Sequence, residues 1–186
     1  MATYHVQQSW LPYFFFTNPM SAPLWFVIRL YVGYAWLSAG WEKVMNPAWF
    51  GGEAGAAITG FVQGALRKTA EFCAPAPAAC HPDVQLWYAS FLKSVVLPNA
   101  LPWANAIAVG ELLVGLGLIF GAVTGIAALF GLFMNLNFML AGTVSVNPIL
   151  FTLSIFLILA WRVAGYWGLD RFINPRFFGV TLNRSS

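Results

Sequence analysis

Four stretches of this chain are mostly apolar and long enough to be helices: residues 24–45, 103–120, 124–141 and 148–165. About 20 apolar residues at ~1.5 Å rise each cross a bilayer, and a helix is favoured there because lipid offers the backbone no hydrogen-bond partner. Pro23 is placed to open the first stretch and Asn46-Pro47 to close it, while the second follows Pro102. So few residues separate the second from the third that the two must form an antiparallel hairpin. Asn147 caps the fourth, with Pro148 in its first turn. The pattern predicts an all-α integral membrane four-helix bundle, with residues 1–186 forming one domain.

Between the first two stretches lies a long connection, residues 46–102, which is not patterned as coil. Ala57, Phe61, Gly64, Ala65 and Lys68 recur at helical spacing within residues 53–72, as do Leu86, Tyr88, Phe91 and Val95 within residues 83–96. Two interfacial helices are expected there. The leader Trp10-Leu-Pro-Tyr-Phe-Phe-Phe16 lacks the basic start and small-residue cleavage site of a secretory signal, and is expected to stay at headgroup level. No internal repeat or low-complexity tract is evident.

Composition sharpens the class. Of 186 residues 60% are hydrophobic and 8% charged, whereas soluble domains carry ~25% charged residues. A disordered chain, a nucleic-acid binder or a secreted disulfide scaffold could not keep that much apolar surface dry. The net charge of +3 suits an anionic lipid surface. Two cysteines (Cys73, Cys80) and two histidines (His5, His81) are too few for an iron–sulfur cluster or a closed zinc site. No metal is predicted, and redox work would need a bound organic group or a thiol pair. Arg171, Arg176 and Arg184 in the tail outweigh Lys93, the one cation of the long connection near a helix end, which places both termini on the cytoplasmic side of a multi-pass protein.

Polar groups at membrane depth are costly unless paired or facing water, so Arg29, Glu111, Asn135, Asn137 and Arg162 carry the most information. Measured from the side where the first helix begins, Arg29 lies ~8 Å deep, Glu111 ~13 Å, Asn135 ~16 Å and Arg162 ~4–5 Å. An Arg29–Glu111 ion pair with Asn135 and Arg162 nearby is the geometric expectation. Three readings remain open for this set: a lock on helix register, the recognition of a quinone headgroup, or passage of an ion or solute. Arg162 alone also reads as a snorkelling arginine.

At the opposite end of the first helix, Trp41, Trp49 and Phe50 read as belt residues around Glu42 and Lys43. Lys43, Arg67, Lys68 and Lys93 are the cations on that side that could attract a small anion. Cys73-x6-Cys80-His81 spans the Ala-Pro-Ala-Pro-Ala-Ala connection and reads either as a structural disulfide facing an oxidising exterior or as a redox thiol pair. Glycines 117, 121 and 125 straddle the hairpin bend and serve its turn as well as its packing.

Four blocks carry a family likeness: Ala39-Gly-Trp-Glu-Lys-Val-Met-Asn-Pro-Ala-Trp-Phe50, Gly110-Glu-Leu-Leu-Val-Gly-Leu-Gly117, Asn135-Leu-Asn-Phe-Met-Leu-Ala-Gly-Thr-Val-Ser-Val-Asn-Pro148 and Ala160-Trp-Arg-Val-Ala-Gly-Tyr-Trp-Gly-Leu-Asp-Arg171. In order and spacing they resemble the DoxX/DoxD-like membrane proteins over residues 24–175. The resemblance implies a small four-helix membrane protein. Its DoxD branch is similar to the membrane subunit of thiosulfate:quinone oxidoreductase, which joins two thiosulfates into tetrathionate and passes two electrons to a quinone. By that resemblance quinone is a substrate, Arg29, Glu111, Asn135 and Arg162 are candidates for its headgroup, and Lys43, Arg67, Lys68 and Lys93 are candidates for the sulfur anion. A second, smaller subunit is implied as partner besides the lipid bilayer. The competing reading is a noncatalytic accessory subunit whose leader aromatics, Trp10, Phe14, Phe15 and Phe16, pack against a larger membrane complex. A transporter in which Glu111 handles protons or cations is weaker, because no inverted repeat or interrupted helix pair is evident.

Overall fold

The computed structural model describes residues 9–75 and 81–177, and over them the fold is helical, with one isolated parallel bridge between Thr69 and Val84. Helices α1 (Trp10–Thr17), α2 (Ala22–Val44), α3 (Ala56–Leu66), α4 (Ala70–Cys73), α5 (Leu86–Phe91), α6 (Ala100–Phe120), α7 (Thr124–Leu140), α8 (Asn147–Leu159), α9 (Trp161–Ala164) and α10 (Asp170–Phe177) follow in that order. The long helices α2, α6, α7 and α8 pack on one another, α6 lying antiparallel to both α2 and α7.

The first and third expected stretches coincide with α2 and α7. The second differs. Residues 83–96 do not form a separate helix, because α5 runs through a π-helical segment, Leu92–Val96, and a 3-10 turn, Leu97–Asn99, into α6. Pro98 supplies the physical reason for the irregular join: with no N–H it cannot give the i−4 bond a regular helix requires. The resulting helix, Leu86–Phe120, is the one among the described residues long and apolar enough to cross a membrane. Ala56–Leu66, Thr124–Leu140 and Asn147–Leu159 are shorter apolar helices. The fourth stretch is interrupted at Ala160, beyond which α9 continues it, and residues 53–72 split into α3 and α4 at the Thr69 cap.

Close backbone approach fixes the α2–α6 register. A Cβ at Gly40 would run into the Leu112 backbone nitrogen, and one at Gly115 into that of Leu37. Small residues at such crossings let helices pack without a side-chain spacer. Below this contact Val32, Leu118, Ala128 and Leu157 form a dry layer, all fully buried. A second apolar cluster joins α3 and the α5–π segment to the upper end of α6, through Ile58, Val62, Leu92 and Ala104.

The leader does not stand apart from the bundle. The Trp25 indole nitrogen donates to the Phe15 carbonyl at 2.6 Å, the Ser21 hydroxyl donates to the same carbonyl at 3.0 Å, and Phe16 packs on the Trp25 ring.

At the α6–α7 hairpin Gly121 takes a positive φ of 63°, the usual helix-ending role of glycine, and Val123, the residue before α7, also has a positive φ, 47°. Val123 has no side-chain oxygen for the first amides of α7. Asp170 provides it from the far tail: its Oδ1 accepts from the Val123 N–H at 2.6 Å and its Oδ2 from the Thr124 N–H at 2.9 Å. The Leu169 and Asp170 amides in turn donate to the carbonyls of Phe120 and Gly121, at 3.0 and 2.7 Å. Asp170→Ala is expected to lower stability by about 1–2 kcal/mol, the range of a lost helix cap. Val123→Gly in that background should recover part of it, since a left-handed β-branched residue costs about 1–2 kcal/mol. Unfolding of the detergent-solubilised variants measures both, and an Asp170→Ala midpoint equal to that of the parent would remove the tail from its capping role.

Candidate functional site

The buried charges fall at two separate ends. Arg29 and Glu111 are each 1% exposed but do not meet. With Gly40 against Leu112 and Leu37 against Gly115, Arg29 falls beyond the end of α6, about 18 Å along the axis from Glu111. The expected ion pair is therefore corrected: the antiparallel threading holds, but α2 is displaced against α6 by about two turns relative to a count from the ends of the apolar stretches. Arg29 instead donates from Nη2 to the Trp167 carbonyl at 3.0 Å, faces the Phe26 ring at 5.4 Å and lies in the field of Asp170. Arg162 is exposed and stacks on Trp161, 5.3 Å from its ring centre.

Glu111 pairs with Lys43. The Nζ–Oε2 distance is 2.6 Å, the carboxylate side chain is 2% exposed, and the lysine, 21% exposed, lies 5.2 Å from the centre of the Trp49 ring. The residue that the sequence reading placed among solvated interface groups and anion candidates is thus the counter-ion of the buried acid. Asn135 is fully buried, and neither atom of its amide has a hydrogen-bond partner among the described residues.

The other cations divide. Lys68 donates to the Gly142 carbonyl at 2.6 Å. Arg67 and Lys93 line one open cavity of about 440 Å³ together with Gln63, Thr69 and Glu71, between the α3–α4 segment and the π-helical turn. Cys73 is disulfide-bonded, which favours the structural reading over free thiols at that residue, while Cys80 lies outside the described residues, as do His5 and Arg184. Among the described residues no three of His, Cys, Asp and Glu gather as metal ligands.

One polar pair escaped the candidate set. The Tyr88 hydroxyl donates to Asn137, with its backbone carbonyl at 3.0 Å and its side-chain Oδ1 at 3.1 Å, and the Asn137 amide donates to the Phe133 carbonyl at 2.8 Å. Both residues line a cavity of about 120 Å³ that is otherwise almost wholly apolar, walled by Ile58, Phe61, Phe91 and Trp103 among others. Trp103, Ile107, Phe133 and Met134 belong both to this cavity and to a longer apolar groove of about 470 Å³ along α6 and α7. Asn137 stood out in the sequence as a polar residue in an apolar stretch. Tyr88 carried no such signal, because the fold of the α5–π segment over α7 is what brings its hydroxyl to Asn137.

Comparison with family models, with curated proteins and with solved structures finds no match.

Removing one partner of a buried ion pair strands the other, at about 3–5 kcal/mol, whereas replacing both by apolar groups is close to neutral. Lys43→Met is therefore expected to destabilise the protein severely and Lys43→Met/Glu111→Leu to restore most of the loss, as read from unfolding midpoints. A double variant as unstable as the single one would show that the pair does more than neutralise itself.

Proposed function

We propose that this chain is a multi-pass membrane protein of DoxX/DoxD type, the quinone-reactive component of an oxidoreductase that takes electrons from a small sulfur anion. The observation that carries this reading is the apolar groove along α6 and α7 that runs into a smaller cavity with Tyr88 and Asn137 as its polar tip. The cavity of about 120 Å³ adjoins the groove of about 470 Å³ at Trp103, Ile107, Phe133 and Met134, so a quinone ring would lie across this shared wall and its isoprenoid tail along the groove, arriving sideways from lipid. The second amide hydrogen of Asn137, or the Tyr88 hydroxyl turned from Asn137, can donate to a quinone carbonyl.

A membrane setting is supported by the outward faces of the long helices, where Leu113, Phe130 and Phe133 are each more than half exposed along with Val27, Tyr34 and Leu159. So many large apolar side chains left exposed are a liability in water and a match for acyl chains. With both termini in the cytoplasm, the Arg67–Lys93 cavity opens on the outer face, where it would receive the anion. Joining two thiosulfates through a new S–S bond releases two electrons, and these with two protons convert quinone to quinol. The smaller partner subunit implied by the family likeness would complete the anion site.

In nanodiscs with its partner, the protein is expected to reduce a short-chain quinone when given thiosulfate. Tyr88→Phe and Asn137→Leu should each raise the quinone KM about tenfold, the equivalent of one hydrogen bond of ~1.4 kcal/mol, and leave the thiosulfate KM unchanged. Lys93→Glu should do the reverse. Absence of thiosulfate-dependent quinone reduction in the reconstituted pair would overturn the reading.

A further inference from the structure

Three fully or nearly fully buried polar side chains inside the bundle, on the Lys43 side of the dry layer, have unused hydrogen-bonding atoms: the indole nitrogen of Trp36, both amide atoms of Asn135 and the hydroxyl of Ser154. They come from three different helices, yet helix register brings them to one level. Trp36 Nε1 faces Gly131, and a Cβ there would sit 3.0 Å from it. Asn135 is one turn further along α7, and Ser154 falls within one turn of Gly131 because Gly125 packs against Trp161 in the antiparallel α7–α8 pair. Glu111 lies at the same height as Gly40, one turn above Trp36 on α2.

Each such atom left unsatisfied costs about 1–3 kcal/mol, and one bound water typically serves about three of them. Gly131 lets the indole reach the α7 backbone, since a Cβ there would crowd Trp36 Nε1 at 3.0 Å and Val114 Cγ1 at 3.2 Å.

We propose that Trp36, Gly131, Asn135 and Ser154 frame a bound-water site inside the bundle, beneath the Lys43–Glu111 pair. The dry layer of Val32, Leu118, Ala128 and Leu157 closes it toward Arg29, so its polar contact runs to the Lys43 end alone. The site hydrates the interior around Glu111 from one end of the molecule. This inference does not depend on any redox activity, and its test needs no substrate.

Two tryptophans make an internal control. Trp25 and Trp36 are both 3% exposed, but the Trp25 nitrogen donates to Phe15, whereas that of Trp36 has no partner among the described residues. Radiolytic hydroxyl-radical labelling, which marks buried side chains touching a bound water, should oxidise Trp36 several-fold faster than Trp25 in the intact protein in nanodiscs, leaving Leu118 and Leu157 unmarked. Asn135→Leu and, independently, Ser154→Ala should slow Trp36 labelling toward the Trp25 rate. Asn135→Leu should also lower the unfolding midpoint, because it strands the water's other partners, whereas removal of a dry orphaned amide would raise it. Equal protection of Trp36 and Trp25 would overturn the site, as would a raised midpoint for Asn135→Leu; labelling of Leu118 together with Trp36 would overturn its closure on one side.

Discussion

The glycine-mediated crossing of α2 and α6 sets everything that follows in this fold. Because Gly40 and Gly115 admit the opposing backbone directly, the two helices can slide past one another only by breaking contact, and a single register survives. That register decides which charges meet. It puts Lys43 opposite Glu111 and carries Arg29 past the end of α6, where the returning tail offers the Trp167 carbonyl and the field of Asp170. A buried carboxylate and a buried guanidinium in one apolar bundle look like natural partners, but the pairing is settled by backbone packing, and each charge takes the partner that packing supplies.

Two polar ends then flank a dry middle. At one end Asp170, Arg29 and the α6–α7 hairpin form a closed knot in which the tail caps a helix that its own sequence leaves uncapped. At the other, Lys43 and Glu111 connect the interior to the surface beneath α3 and the α5–π segment. Val32, Leu118, Ala128 and Leu157 separate them. An ion passing between the ends would have to shed its hydration in that layer, which weighs against the transporter reading and in favour of chemistry confined to one end.

The helices were legible in the sequence because apolar runs and prolines are local signals: α2 and α7 fall where those signals put them, whereas Asn147 is the first residue of α8 rather than its cap, its amide donating back to the Thr143 carbonyl. The partners of the charges were not. Depth counted from the ends of apolar stretches assumes that every helix starts at the same plane, and α2 begins lower than that plane by the length of the tail's knot. Lys43 read as a solvated interface residue since it follows Trp41 and Glu42 at a helix end flanked by belt aromatics, and only the position of Glu111 one helix away reverses that reading. The Asp170 cap, contributed from 47 residues away, has no local signature at all.

The Tyr88–Asn137 pair shows most clearly what periodicity misses. In residues 83–96 the helical spacing of Leu86, Tyr88, Phe91 and Val95 describes a face but not what that face covers. Pro98 breaks the i−4 ladder, the segment before it winds as a π-helix, and the turn so produced lays Tyr88 across α7 rather than out along the interface. An irregular helix thereby closes one end of an apolar groove with a hydroxyl and an amide. A regular continuation of α6 would have carried the phenol past the end of α7 and left the groove without a polar tip, so the feature that could tell an amphipathic ring from a plain acyl chain comes from the helix defect itself.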